Sequence, residues 1–392
     1  MISTPAQMAR ISRGITTIIS EEELKKKLDK GKPLRVKLGV DPTAPDIHLG
    51  HTVVLNKLKV FQELGHQVVF IIGDFTAAIG DPSGRDSTRP PLSIEEIQKN
   101  IRTYEDQVFK VLDKSKTEVR RNSEWLDTLF DKNNPDFILK TLLRKNTVQQ
   151  LMEREDFTVR RKAGQAITVL ELLYPLFQGF DSVAVKADVE LGGNDQLFNL
   201  LMGRQLQKDA GQELQVVMTF PLLEGLDGVR KMSKSYGNHV GVKDPPNEMF
   251  SKIMSVSDEL MWTYYNLLTE EDLAAQKKLH PKEAKEKLAE IITARYHGAA
   301  LARGAREEFN KVFSKGGVPD EIGDFKIKNG EMDAVELLVA AQLAPSKNEA
   351  RRLLEQGGVL LGERKIKLGD KISVKEPTVL KVGKRRFKNL LP

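Results

Sequence analysis

The chain has 392 residues, 40% hydrophobic and 30% charged, with no cysteine and a formal net charge of +6. That length exceeds one ordinary core and implies two or three domains, while the lack of cysteine excludes disulfides, thiolate zinc sites and a cysteine nucleophile. The charge is uneven: residues 336–392 carry 13 Lys and Arg against 6 Asp and Glu, a net of +7, and everything before them sums to −1. A local positive surface on a neutral body is the electrostatic footprint of a nucleic-acid-binding module, with a solvated basic tail as the bland alternative. The opening Met1-Ile2-Ser3-Thr4-Pro5 lacks the blocks of a signal peptide and no apolar run approaches about 20 residues, so a soluble cytoplasmic protein is expected, with no membrane partner.

Taken in order, short β-branched runs at 34–40, 67–72, 116–121 (weaker), 182–189 and 214–219 read as strands. Helical periodicity fills the gaps, including 53–64, stopped by Gly65, and 93–112, entered through a capping box at Ser93 and Glu96. This alternation predicts an α/β domain with a doubly wound, Rossmann-like parallel sheet over 1–240. Pro245-Pro246 then punctuates the chain, and 247–310 show only helical spacing, which predicts a helical domain over 241–328. Gly316-Gly317-Val318-Pro319 and Asn329-Gly330 bracket a linker. Two helices at 335–343 and 348–355, followed by short β-type runs from Gly357-Gly358 to Phe387, predict a small α+β module over 329–392.

The densest chemical signal is Asp41-Pro42-Thr43-Ala44-Pro45-Asp46-Ile47-His48-Leu49-Gly50-His51, leaving the first strand and entering the first long helix. A strand-to-helix turn in such a sheet stands at the carboxyl edge, where ligands bind, and aims helix N–H groups at anions. Two histidines there can donate to phosphate oxygens, and Gly50 admits a flat ring or a backbone at close range. Standing alone, the segment could equally be an Asp/Pro turn with incidental histidines. The second signal is Lys231-Met232-Ser233-Lys234-Ser235, flanked by Gly225, Gly228 and Gly237 as a mobile loop would be. Its two ammonium groups could close over a polyphosphate and stabilise charge on departing pyrophosphate, although lysines on loops are ordinarily just solvated.

Together, His48-Leu49-Gly50-His51 and Lys231-Met232-Ser233-Lys234-Ser235 resemble the paired signatures of class I aminoacyl-tRNA synthetases. Within that class the chain is similar to the bacterial tyrosyl-tRNA synthetases, over almost its whole length. The resemblance implies a ligase that activates L-tyrosine with Mg-ATP and transfers it to the 3′ end of tRNA(Tyr), with no tightly bound cofactor and no metal site of its own, zinc included. It makes His48, His51, Lys231 and Lys234 the catalytic groups, with Asp41, Thr43, Gly50 and Asp195 beside them on ATP. Asp81, Tyr174 and Gln178 would hold the substrate amino group, Asp181 would accept the phenolic hydroxyl and Gln196 would touch the reacting carboxyl group. Arg85 and Arg89 would add positive charge near the phosphates.

The sequence departs from much of that family at Lys37, where many members carry a tyrosine whose hydroxyl also grips the phenol. Lys37 cannot act in the same way, and Val36-Lys37-Leu38-Gly39 before Asp41-Pro42-Thr43 matches another bacterial subgroup. The last module resembles the S-four-type RNA-binding domain, which implies phosphate contacts from Arg351, Arg352, Lys384, Arg385 and Arg386. A homodimer is expected, with contacts from a helical insert near 120–165. The competing readings are a tryptophanyl-tRNA synthetase, for which Asp181 is a poor neighbour to an indole edge, and a non-catalytic RNA-binding descendant, for which degraded signatures would be the mark.

Overall fold

The computed structural model describes residues 2–43, 46–82, 93–134, 138–314, 322–327, 330–383 and 386–392. They form two compact units, Met1–Tyr296 and His297–Pro392. In the first, six strands order as β1-β6-β5-β2-β3-β4: β1 Thr17–Ile19, β2 Arg35–Val40, β3 Gln67–Ile72, β4 Thr117–Arg121, β5 Val189–Gly193 and β6 Val216–Phe220. All neighbours run parallel except the edge strand β1, which pairs antiparallel with β6. The chain moves from β2 to β3 and β4 on one side, then returns through β5 to β6 on the other. The switch point, where the crevice of such a sheet opens, therefore lies between β2 and β5.

The helices of this unit are α1 Thr4–Ile11, α2 Glu21–Asp29, α3 Leu49–Glu63, α4 Asp74–Ile79, α5 Ile94–Val108, α6 Ser123–Leu126, α7 Val148–Leu151, α8 Glu155–Lys162, α9 Val169–Val185, α10 Leu197–Asp209, α11 Pro246–Met254, α12 Asp258–Leu268, α13 Leu273–Gln276 and α14 Pro281–His297, the last ending one residue into the next unit. The capping box at Ser93 and Glu96 forms as its spacing predicts, with Glu96 N donating to Ser93 Oγ at 3.2 Å and Ser93 N to Glu96 Oε2 at 2.9 Å. A second box opens α9, where Thr168 Oγ1 accepts from Glu171 N and Glu171 is fixed by Arg160 at 2.6 Å.

Two expectations shift. The run 182–189 is not a strand: α9 continues to Val185, Lys186 closes it at φ 50°, and the strand is Val189–Gly193. Val183-Ala184-Val185 ends a helix with many buried side chains, and such an end has the apolar content of a buried strand. The edge strand β1 was not foreseen, because three residues give too short a pattern to register.

The second unit holds α15 Ala299–Ser314, α16 Ala334–Ala340 and α17 Lys347–Glu355, with strands β7 Asp324–Lys326, β8 Met332–Asp333, β9 Val359–Leu361, β10 Arg364–Lys365, β11 Lys371–Ile372, β12 Thr378–Val382 and β13 Arg386–Leu391. The five-stranded sheet β10-β9-β12-β13-β7 and the pair β11-β8 share a core in which Leu337, Leu338, Ala350 and Leu354 of the helices meet Val359, Leu380 and Leu390. No described helix is long and apolar enough to cross a membrane.

Candidate active site

At the carboxyl ends of β2 and β5 a cavity of about 630 Å³ opens, lined by residues from both signature segments. Asp41, Thr43, His48, Gly50, His51, Asp81, Tyr174, Gln178, Asp181, Asp195, Gln196 and Lys231 all face it. Lys234 does not: its ammonium is paired with Asp46 outside the lining. Ala44, Pro45, Arg85 and Arg89 lie outside the described residues.

The backbone explains why residues so far apart in sequence meet. Leu49 N donates to Val240 O at 2.9 Å and Val242 N to Ile47 O at 3.0 Å, which stitches the start of α3 to the segment after the lysine loop. The rings of His48 and His51 meet one helical turn apart, with centroids 3.9 Å apart and planes tilted by 40°. A Cβ on Gly50 would come within 3.0 Å of the His48 ring, so the turn requires glycine for this approach. Burial, then the nearby His51, His239 and Lys234, push the His48 imidazole down to about 2, and loss of hydration also lowers His51. Both rings are therefore neutral at physiological pH. His51 Nδ1 accepts from His48 N at 3.2 Å, which assigns the His51 proton to Nε2 as an available donor. The buried Nδ1 atoms of His48 and His239 lack a hydrogen-bond partner among the described residues.

The lysine loop is tied at its base rather than loose. Asn238 Oδ1 accepts from Ser233 N at 2.8 Å, while Asn238 Nδ2 donates to Asp227 Oδ2 at 3.0 Å and to Lys231 O at 3.2 Å. Met232 N donates to Leu223 O at 2.7 Å, and the Met232 side chain is buried. The fold thus fixes the backbone of the motif and leaves its two ammonium groups exposed.

Two polar networks flank the cavity. In the first, Gln196 Nε2 donates to Asp81 Oδ2 at 2.8 Å, Gln178 Nε2 to Gln196 Oε1 at 3.3 Å, and Asn199 Nδ2 to Gln178 Oε1 at 2.9 Å and Gln196 Oε1 at 3.0 Å. Arg154, 4% exposed, stands behind Asp81 at 3.6 Å and holds Asp156 at 2.7 Å. In the second, Asp181 accepts from Trp125 Nε1 at 2.8 Å and Asn122 Nδ2 at 3.4 Å. Asn122 also donates to Thr76, whose hydroxyl donates to Asp41 at 2.7 Å, and Tyr174 OH donates to the other Asp41 oxygen at 2.9 Å.

Burial dominates the electrostatics here. It raises both Asp41 and Asp181 to about 7, against the hydrogen bonds each accepts and, for Asp181, against the charge of Lys37. Desolvation and the surrounding carboxylates Asp41, Asp81 and Asp181 also hold the Tyr174 phenol protonated, well above its ordinary range. Gathered carboxylates in a largely buried cleft are suited to a ligand that brings cationic and hydroxyl donors. Lys37 is fully buried below this floor, paired with Glu190 at 2.6 Å. Among the described residues no cluster of three or more His, Cys, Asp or Glu could hold a metal ion.

Sequence reasoning passed over Thr76, Asn122, Trp125, Arg154, Glu190 and Asn199. Each joins the site through partners distant in sequence, and no local motif marks them. In the second unit Arg351 and Arg352 are exposed on α17, beside Asn348 at 3.2 Å and Glu349 at 2.8 Å respectively. Arg386 donates to Leu343 O at 2.6 Å. Lys384 and Arg385 lie outside the described residues.

Comparison with known proteins bears on this cleft. The family described as tRNA synthetases class I (W and Y) matches residues 29–314, and the S4 domain matches residues 335–376. A tyrosine--tRNA ligase of Oleidesulfovibrio alaskensis is 53% identical, with 98% of each chain covered. One of Ralstonia nicotianae is 54% identical, with 94% of each covered. The crystal structure of a tyrosyl-tRNA synthetase complexed with L-tyrosine, from Archaeoglobus fulgidus, shares the fold with a TM-score of 0.62 at 24% identity, covering 78% of this chain and all of that one.

Proposed function

This chain belongs to the class I tRNA synthetases of the tryptophan and tyrosine family, as a tyrosine--tRNA ligase with a C-terminal S4 domain, and from that premise we propose how its cleft divides the work. The enzyme activates L-tyrosine with ATP to tyrosyl-adenylate and pyrophosphate, then transfers tyrosine to the 3′ end of tRNA(Tyr). The observation that supports the assignment of roles is the meeting of both signature segments with three buried or half-buried carboxylates, Asp41, Asp81 and Asp181, around one cavity.

Asp81, with Tyr174 and Gln178, receives the ammonium group of tyrosine, and Asp181 accepts its phenolic hydroxyl. Asp181 then leaves an unpaired acceptor when phenylalanine binds, a discrimination for which tyrosine-activating enzymes are themselves the standard illustration. Gln196 steers the carboxylate toward the α-phosphorus of ATP, which enters as its Mg2+ complex, a substrate. One carboxylate oxygen forms the new P–O bond as the bond to pyrophosphate breaks, and no side chain serves as nucleophile. Asp41, Thr43, Gly50 and Asp195 lie along the nucleotide. The neutral His48 and His51 donate to phosphate oxygens, and Lys231 and Lys234 stabilise the departing pyrophosphate. Lys234 leaves Asp46 to do so, which ties its contribution to closure over the triphosphate.

Residues 1–240 form the catalytic domain, the helices that follow from 241 face the anticodon side, and the RNA-binding domain of 329–392 also takes in β7, which pairs with β13. Arg351, Arg352 and Arg386, with Lys384 and Arg385, follow tRNA phosphates. The enzyme works in the cytoplasm as a homodimer joined through the insert at 120–165, with no zinc and no tightly bound cofactor. Val148, Val159 and Val169, exposed apolar residues in and just beyond this insert, support that contact. The test is ATP–pyrophosphate exchange with tyrosine, phenylalanine and tryptophan in parallel. Exchange with tyrosine alone is expected; equal exchange with phenylalanine would overturn the role given to Asp181.

A further inference from the structure

Beneath the tyrosine end of the cleft lies a buried ion pair that the chemistry above does not use. Lys37 on β2 and Glu190 on β5 are directly opposed across the parallel strands, 0% and 1% exposed, with Nζ 2.6 Å from Glu190 Oε1. The Lys37 ammonium has three N–H donors, and three acceptors surround it: Glu190, Ser182 Oγ at 2.9 Å and Gln178 O at 3.2 Å. None remains for a substrate hydroxyl, so Lys37 does not grip the phenol itself. Glu190 is likewise occupied, its Oε2 accepting from Ser182 Oγ at 2.9 Å and Gln215 Nε2 at 2.5 Å.

The placement of these bonds is informative. Gln178 and Ser182 bracket Asp181 on α9, and that helix also carries Tyr174. Lys37 therefore pins α9 to the sheet at the turn that presents the three tyrosine-facing side chains. Glu190 itself lines the cavity beside Asp181. On the far side Gly203 of α10 leaves room for the network, because a Cβ there would fall 2.6 Å from Gln215 Nε2 and 2.8 Å from Ser182 Oγ.

We infer that Lys37 and Glu190 are a positioning pair for tyrosine recognition, Lys37 fixing α9 and placing a positive charge behind Asp181 while Glu190 anchors that charge and offsets it. The inference rests on the reading of Asp181 as the acceptor of the phenolic hydroxyl. A buried ion pair with only a structural duty would hold α9 in place without tuning the carboxylate. The two duties are separable, because the two charges act on Asp181 with opposite sign: Lys37 favours its ionised form and Glu190 opposes it. The other groups facing Asp181 are Trp125 and Asn122 from the segment of α6, Asp41 from the end of β2 and Tyr174 from its own helix.

The test is equilibrium binding of tyrosine, and of phenylalanine for comparison, from pH 5 to 8.5 with the full-length wild type, Lys37→Met, Glu190→Gln and Asp181→Asn. An ionised Asp181 is the better acceptor, so wild-type affinity for tyrosine is expected to fall as the pH drops through about 7. Lys37→Met should move that midpoint up by about one pH unit and Glu190→Gln should move it down. Glu190→Gln keeps a hydrogen-bond acceptor for Lys37 while removing its counter-charge. The double variant Lys37→Met/Glu190→Gln leaves no unpaired charge in the core and should give a midpoint between those of the single variants. Midpoints that stay fixed, or that move in the same direction in both single variants, would overturn the pair's tuning role. Asp181→Asn serves the underlying reading: it should abolish both the transition and the preference for tyrosine. If it abolishes neither, the assignment of Asp181 fails, whatever the other variants do.

Discussion

Tyr174 donates its phenolic proton to Asp41 at 2.9 Å, linking the helix that would hold tyrosine to the loop that would meet ATP. Among the described residues, Thr76 supplies the other side-chain hydrogen bond to that carboxylate, at 2.7 Å. Tyr174→Phe therefore leaves a buried acceptor half-satisfied, a loss of about 1–3 kcal/mol. Because one bond serves both subsites, the variant is expected to raise KM for tyrosine and for ATP together. Steady-state exchange with each substrate varied in turn checks this.

Lys231 and Lys234 should act on the rate and not on tyrosine binding. Replacing either by Ala is expected to slow adenylate formation by about 10²-fold or more, the usual scale for losing one preorganised stabilising group. The Kd for tyrosine should stay at the wild-type value. Rapid-mixing single-turnover measurements separate the two quantities. Asp46→Asn, which releases Lys234 from its ion pair, should leave tyrosine binding equally untouched.

Burial holds the Asp181 carboxyl at about 7 in the folded chain, against about 3.9 in an unfolded one. A carboxyl that binds its proton more tightly when folded favours the folded state below about pH 4, and that contribution is lost as the pH rises to about 7. Asp181→Asn removes the cost of the buried charge. It is expected to be more stable than the wild type above about pH 7, by up to about 4 kcal/mol, with the gain vanishing near pH 4. Urea denaturation of the ligand-free protein at both ends of that range measures the difference.

On α17, Ala350 and Leu354 face the core of their unit while Arg351 and Arg352 face water. Replacing both arginines by Ala should leave tyrosine-dependent exchange unchanged and weaken tRNA binding. It should also lessen the salt dependence of that binding, by a slope of about one per lost phosphate contact. Filter binding at several salt concentrations reads both effects.

Much of the cleft was legible because its key residues stand in turns, where local chemistry is dense. The segment from Asp41 to His51 and the Lys231 to Ser235 loop declare themselves by residue type and spacing. The strands at 67–72 and 34–40 were also plain, since β-branched runs bounded by turns have few other readings. Glu190 escaped because the run 182–189 looked like the strand, which placed this acid just beyond its end. In the fold, α9 claims that run as far as Val185, and Glu190 becomes the second residue of β5. Asn122, Trp125, Arg154 and Asn199 were invisible for a different reason. Their significance lies in partners contributed by other elements, and only tertiary packing creates those pairs.

The central claim is that Asp181 reads the phenolic hydroxyl. It is tested most directly by the ratio of kcat/KM for tyrosine to that for phenylalanine in pyrophosphate exchange, compared between the wild type and Asp181→Asn. The account predicts that the ratio collapses by about 10²-fold or more in the variant, as expected when a buried charged acceptor is replaced by a weaker neutral one. An unchanged ratio would contradict it and would place recognition of the hydroxyl elsewhere in the cleft.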